Sequence, residues 1–321
     1  AAVGPDDSFH DLGGHSLMAV QLVGQIEAAL GLRLGVGDLH RNPTPRSLAD
    51  AIRVAQVGPR YIIPVQPQGS LPPLFGVHVL GRNEEYYRPL ARVLGPDQPV
   101  LGLTVGLLTQ DTPIGVEATA RCYFEDIQRH YPEGPVSLAA VSLGSYIAFE
   151  LARQLHDAGR DVRMLALFDA EGPGGRSRLK GKARLLAHGR RLRSEGMGYL
   201  LHILSNRLTD LRNRVEKTRV RMASAKGEAA PLTISTFVAA NELAVQAYDA
   251  QPIDIPLTIF RASENVFDSP ESAADGLGWA SVAQAGFDLI DVPGDHLSIL
   301  QPPNVEQLAT QMQRAMRRSK G

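Results

Sequence analysis

The stretch Val136-Ser137-Leu138-Ala139-Ala140-Val141-Ser142-Leu143-Gly144 changes character at a single residue. Up to Val141 it is a run of small and apolar side chains opened by Pro135, as in a strand covered on both faces. From Leu143 to Ala158 the apolar residues recur at helical spacing, and Gly159 supplies a stop. Ser142 stands at the junction. Ala140 and Gly144, two before and two after it, are both small, as a sharp strand-to-helix turn requires of positions expected to face each other closely. A serine held on such a turn presents its hydroxyl as a nucleophile.

Outward from this point, strand-like and helix-like segments alternate. Leu74–Val79, Val100–Leu103, Val162–Phe168, Leu257–Ala262 and Phe287–Val292 read as strands, with an edge strand at Tyr61–Val65. Val116–Tyr131, closed by Pro132, and Val305–Arg318 read as helices. The fold class is therefore α/β, with a mostly parallel sheet covered on both faces. Residues 172–247 interrupt the alternation with helical apolar repeats: Leu200, Leu201, Ile203, Leu204, Leu208 and Leu211. Between Gly172 and Lys226 there are fifteen Lys/Arg against three Asp/Glu, although the whole chain has a formal charge of −1. The overall charge gives no reason to expect nucleic acid. The basic segment reads first as solvated helix faces around an apolar stripe, and second as a guide for an acidic acyl chain or an acidic carrier surface.

The chain of 321 residues, 44% hydrophobic, suits one small and one large domain. A single cysteine, Cys122, excludes an intrachain disulfide and a cysteine-based metal cluster, and fits a reducing cytoplasm. No apolar run approaches the roughly 18 residues of a membrane span. No metal is expected.

The small domain is marked by Ser8-Phe9-His10-Asp11-Leu12-Gly13-Gly14-His15-Ser16-Leu17. Gly13 and Gly14 permit a tight turn with no Cβ in the way. Ser16 then opens a helix with Met18, Leu22, Ile26 and Leu30 on one face and Gly31 as stop. A serine at a helix N-terminus offers its hydroxyl where N–H groups favour a phosphodiester. The motif resembles that of thiolation (carrier) domains in nonribosomal peptide synthetases, whose serine carries 4′-phosphopantetheine. The resemblance implies a helical carrier domain over residues 1–54, ending in Pro43-Thr44-Pro45 and a small helix at Ser47–Ile52. The family's first helix is expected ahead of the motif and is absent from this chain. Residues 55–61, with Gly58-Pro59, read as a linker.

The segment around Ser142 is a near match to the G-x-S-x-G elbow of α/β-hydrolases, with Ala140 for the first glycine. Residues 62–321 resemble the type I thioesterase domains that end peptide synthetases. The resemblance rests on Pro73-Leu74-Phe75-Gly76-Val77-His78, Ala148-Phe149-Glu150-Leu151-Ala152, Asp275-Gly276-Leu277-Gly278-Trp279 and Val292-Pro293-Gly294-Asp295-His296-Leu297. It implies an α/β-hydrolase with a helical lid at about 172–247. Of nine histidines, His296 is the expected base: it follows the last strand and matches the thioesterase histidine. His78 reads as loop structure, and His10 and His15 flank the carrier motif without metal partners. The orienting acid is expected at Asp169, with Glu264 or Asp268 as the rival position of other α/β-hydrolases. Asp295 adjoins the histidine and should point elsewhere. The oxyanion donors are expected to be the backbone N–H groups of Leu143 and, by matching the family's His-Pro-x-Gly-Gly segment, Leu80. Cys122 lies mid-helix and reads as core.

The resemblance further implies release of a peptidyl chain from the pantetheine thioester through acyl-Ser142, by hydrolysis, macrocyclisation or oligomerisation. Expected partners are upstream condensation and adenylation domains, a phosphopantetheinyl transferase and the peptidyl thioester, with no nucleic acid and no membrane. The rival readings are a lipase-like esterase, a repair thioesterase, and a carrier and docking module with an inactive hydrolase domain.

Overall fold

The computed structural model describes residues 3–30, 39–40, 42–57, 60–78, 84–105, 112–226, 230–231, 233–265 and 267–318. The chain divides into two units, Ala1–Arg60 and Tyr61–Gly321.

In the first unit, helix α1 (Ser16–Leu30) starts at the serine of the motif and α2 spans Pro45–Val57. Helix α2 is thus longer at both ends than the expected Ser47–Ile52, and its last turn occupies part of the stretch read as linker. Its start has a local cause: Thr44 and Ser47 exchange backbone-to-side-chain hydrogen bonds of 3.1 and 3.2 Å, with Pro45 at the first helical position. Ala19, Val23, Leu39 and Leu48 form a small core, with Phe9, Leu22, Ile26 and Ile52 half-buried against it. Gly13 has φ +86°, and a Cβ on Gly14 would lie 2.4 Å from the Phe9 carbonyl oxygen. Both glycines are required by the turn that leads into Ser16.

The second unit is a seven-stranded sheet: β1 (Ile62–Gln66), β2 (Leu74–Val77), β3 (Val100–Leu103), β4 (Val136–Val141), β5 (Val162–Phe168), β6 (Leu257–Ala262) and β7 (Phe287–Val292). Their order is β1-β3-β2-β4-β5-β6-β7, with β1 antiparallel to β3 and the other pairs parallel. Pro64 sits on β1, where the missing N–H costs no ladder bond to a further strand. Strand alternation sorts the core into two layers. On one face Leu138 and Ala140 of β4 and Leu165 and Leu167 of β5 pack under helices α4 (Val116–His130) and α5 (Gly144–Asp157). On the other, Ala139, Val141, Met164, Ala166 and Phe168 pack with α3 (Arg88–Leu94) and the last helix, Asn304–Arg318. Cys122 is half-buried against the first layer.

Between β5 and β6 the chain forms α6 (Gly181–Glu195), α7 (Met197–Ala225) and α8 (Ile234–Ala247). Helix α9 (Pro270–Ala274) follows β6, and Asn304–Arg318 is α10. The side chains of Leu200, Leu201, Ile203, Leu204 and Leu208 lie outside the described residues, and Leu211 is exposed. No described helix is long and apolar enough to cross a membrane. Among the described residues no group of His, Cys, Asp and Glu could hold a metal ion.

Candidate active site

The strand order places a switch point at β2 and β4, because β3 flanks β2 on one side and β4 on the other. The crevice at the carboxyl ends of such strands is where ligands bind in open α/β sheets. Three candidate residues emerge there. His78 follows β2, Ser142 follows β4 and Asp169 follows β5, and the register Val141↔Phe168 sets Ser142 and Asp169 level with each other.

Ser142 has φ +52°, the left-handed region that costs a non-glycine residue about 1–3 kcal/mol. Helix α5 begins two residues later, and Leu143 has already turned to helical dihedrals. The small size of Gly144 has a different cause from the one its spacing suggests. A Cβ there would lie 3.3 Å from the Val77 carbonyl oxygen and 3.4 Å from that of His78, so the crowding comes from the end of β2. Ala140 is fully buried within the first core layer. Among the described residues no acceptor takes the Leu143 N–H. The other expected oxyanion donor, Leu80, lies outside the described residues.

Asp169 also has positive φ, +45°. Its N–H donates to Phe260 O at 2.7 Å, and Oδ1 accepts from Ala262 N–H at 3.1 Å, so β6 fixes both its backbone and its carboxylate. Oδ2 lies 3.1 Å from His296 Nδ1, and the Asp169 carbonyl lies 3.2 Å from the same nitrogen. That arrangement favours the tautomer with its proton on Nδ1. His296 and Ser142 line one cavity of about 420 Å³, together with Leu143, Tyr146, Asp169, Arg176 and Val245. The Nε2–Oγ hydrogen bond itself is not made here, as is common before substrate binds.

The rival acids are disposed of differently. Glu264 is exposed, and its N–H donates to Gly294 O at 3.0 Å. Asp268 is nearly buried and binds Arg176, through Nε at 2.7 Å and through Nη2. Asp295 caps its own turn by accepting from the N–H groups of Leu297 and Ser298 at 3.0 and 2.9 Å. His78 is buried edge-on against Tyr87, with ring centroids 5.2 Å apart.

Arg176 is the residue that sequence reasoning missed. Its side chain is only 4% exposed, and its Nη2 donates to Asp169 Oδ1 at 2.9 Å while the same guanidinium holds Asp268. The glycine-rich loop that carries it is held by backbone contacts: Gly172 N–H to Leu277 O at 2.8 Å and Gly174 N–H to Gly278 O at 2.9 Å. Trp279, fully buried, donates from Nε1 to Ala170 O at 3.0 Å. Burial alone would raise the Asp169 carboxyl pKa, but hydrogen bonds from His296 and Arg176, and the Arg176 charge, outweigh it and hold the group below its ordinary value.

A depressed folded-state pKa contributes stability above the ordinary carboxylate value, roughly 4, and that contribution is lost as pH falls through the folded value. Arg176→Met should therefore cost about 3–5 kcal/mol near neutral pH, because it strips a buried ion pair of its cation. The gap to the parent should close in acid, below about pH 4. Urea midpoints measured across pH would check both points, and a gap that widens in acid would contradict them.

Comparison with known proteins locates two families in the chain. A profile described as "Thioesterase domain" matches residues 72–316, and one described as "Phosphopantetheine attachment site" matches residues 1–52. A dimodular nonribosomal peptide synthase of Bacillus subtilis is 37% identical over 172 residues, covering 52% of this chain and 7% of that protein. Chondramide synthase of Chondromyces crocatus is 28% identical over 340 residues, covering 98% of this chain and 8% of that protein. The chain thus spans less than a tenth of either relative. Among solved structures, a four-domain nonribosomal peptide synthetase bound to AMP and glycine aligns over 97% of this chain and 24% of that one, at 28% identity and a TM-score of 0.57. The NocB thioesterase domain, in covalent complex with a fluorophosphonate nocardicin G analogue, aligns over 80% of this chain and 99% of its own at 18% identity and a TM-score of 0.54, a likeness of fold.

Proposed function

The chain belongs to the thioesterase domain family, with a phosphopantetheine attachment domain ahead of it, and from that premise we propose that it releases a peptidyl chain from a carrier thioester through an acyl-Ser142 intermediate. The observation that carries the reading is the pairing of His296 Nδ1 with the buried Asp169 carboxylate, at the edge of the cavity that Ser142 opens into.

The phosphopantetheine attachment falls to Ser16, the first residue of α1, directly after the tight turn that Gly13 and Gly14 permit. Bound there, the group supplies the thiol on which the acyl chain arrives. At the second site Ser142 Oγ attacks the thioester carbonyl while His296 Nε2 takes its proton. Asp169 keeps the Nδ1 tautomer in place and stabilises the imidazolium that forms. The Leu143 N–H stabilises the oxyanion. As the C–S bond breaks, the His296 imidazolium would return its proton to the leaving thiolate sulfur, leaving acyl-Ser142 and a free thiol. Water, activated by the same His296, then frees an acid; an internal amine or hydroxyl of the peptide frees a ring, and that of a second chain an oligomer.

Helices α6 to α8 act as the lid, with Val245 of α8 on the cavity wall. Upstream condensation and adenylation domains supply the peptide. A lipase-like esterase or a repair thioesterase would use the same nucleophile but leaves the attachment domain without a task.

Incubation with a phosphopantetheinyl transferase and a peptidyl coenzyme A mimic tests the reading. One acylated group should appear on Ser16 by mass spectrometry of the intact chain and its peptides, followed by a free acid, ring or oligomer in solution. Modification persisting in Ser16→Ala would move the attachment elsewhere, and a loaded chain that never discharges would refute release.

A further inference from the structure

The last turns of α7 leave their larger apolar side chains facing outward. Its inner side is mixed: Lys217 Nζ bonds Glu242 Oε2 of α8 at 2.8 Å, and Asn213, Glu216, Lys217, Val220 and Ala223 are half-buried along that side. The outward side carries Leu211, Val215 and Met222, exposed to 60%, 46% and 58%. With ~3.6 residues per turn, positions 211, 215, 218 and 222 fall in one stripe roughly 60° wide. The single polar member is Thr218. A contiguous row of large exposed apolar side chains is an informative departure from a soluble surface.

The spacing and the flanks say what would cover it. Steps of four, three and four are heptad spacing, and the sequence continues it upstream through Leu208, Leu204 and Leu201. The positions bordering the seam are Arg212 and Arg219 on one side and Arg214 and Arg221 on the other, all exposed. No acidic residue occupies a flank over these turns; Glu216, which pairs with Arg219 at 3.0 Å, points to the inner side.

We propose that this face of α7 docks an acidic amphipathic helix of a partner polypeptide, seated seam to seam with Glu or Asp beside the four arginines. Charge complementarity selects that occupant. A second copy of α7 would set arginine against arginine in either orientation, which disfavours self-pairing. An anionic lipid surface would satisfy the charge, but an interfacial helix presents a broad apolar face, whereas this seam is narrow, heptad-spaced and interrupted by Thr218. The proposal is independent of the catalytic reading, since none of these side chains touches the cavity of Ser142.

The test uses the full chain and a fluorescent designed peptide of several heptads, with Leu along its seam and Glu on both flanks. In anisotropy titrations it should bind, and weaken about tenfold or more on moving from low to high salt. The same peptide with Lys flanks should not bind. Combining Arg212→Glu, Arg214→Glu, Arg219→Glu and Arg221→Glu should exchange the two preferences. Leu211→Ser with Val215→Ser should abolish binding of the Glu peptide; both positions are exposed, and circular dichroism and thioester release check that the fold is kept. Equal binding of both peptides, or binding that survives the serine pair, would overturn the proposal. So would self-association lost in Leu211→Ser, which would make the face a contact between copies. Cosedimentation with phosphatidylglycerol vesicles that displaces the peptide would assign the face to lipid instead.

Discussion

Ser142→Ala should fold like its parent, still accept phosphopantetheine on Ser16, and release acyl chains about 10⁶-fold more slowly, the scale on which loss of its serine disables a protease triad. The expectation follows from position. Ser142 is the side chain that a left-handed turn lifts from the end of β4 into the cavity shared with His296. Alanine keeps the turn and removes only the oxygen that would carry the acyl group. Loaded chain should then accumulate, visible as an undischarged acyl adduct by intact-mass spectrometry. A fluorophosphonate should label Ser142 in the parent and nothing in the variant. Label on half-buried Cys122, or turnover undiminished in the variant, would remove Ser142 from the reaction.

The second large effect belongs to the acid. Asp169→Asn should lower turnover by about 10⁴, the precedent for an orienting carboxylate replaced by its amide. The amide can offer a donor to Nδ1 where an acceptor is needed, which turns the proton of His296 toward Ser142. Arg176 keeps Asp268 as its counter-ion, so the fold should survive. The expectation for the rival positions now divides. Glu264→Gln should stay within a few-fold of the parent, because that side chain is exposed. Asp268→Asn loosens Arg176, and through it the Asp169 carboxylate, and should fall between the two, on the order of tenfold, or about 1.4 kcal/mol. Steady-state rates on one thioester mimic, with the fold checked by circular dichroism, separate these outcomes. A collapse in Asp268→Asn with Asp169→Asn nearly intact would shift the acid to the strand-β6 side.

Much of this arrangement could be read in advance because its determinants are local. Val100–Leu103, Val162–Phe168, Leu257–Ala262 and Phe287–Val292 are strands with the bounds their apolar runs imply. The first three, buried on both faces, leave continuous signals, whereas the half-exposed Phe287–Val292 is interrupted by Asp288 and Asp291 and is bounded by Gly286 and Pro293. The expected nucleophile, acid and base all follow strand ends and lie around one cavity. What was not legible depends on pairing across the fold. Arg176 sits in a stretch whose composition reads as solvated, and only the return of the chain after β6 brings Asp268 to it, 92 residues on. Helix α3 carries Pro89 within its first turn and spans only Arg88–Leu94, too short for periodicity to announce it. The orientation of α7 was hidden for a related reason. Its apolar stripe is plain in the sequence, but which side meets α8 depends on contacts between separate helices, Lys217 with Glu242 among them.

The two left-handed residues at the tips of β4 and β5 have a consequence for laboratory evolution. Glycine would relieve the backbone at either place, but Asp169→Gly would also forfeit the carboxylate's bonds to Arg176 and Ala262, so a screen that rewards heat resistance alone should drift toward Ser142→Gly and not toward Asp169→Gly. Variants improved in that way would survive heating and turn nothing over. A library filtered for thermal endurance without an activity gate would thus flag the nucleophile by losing it while keeping the acid, and that contrast would separate the two roles without any substrate in hand.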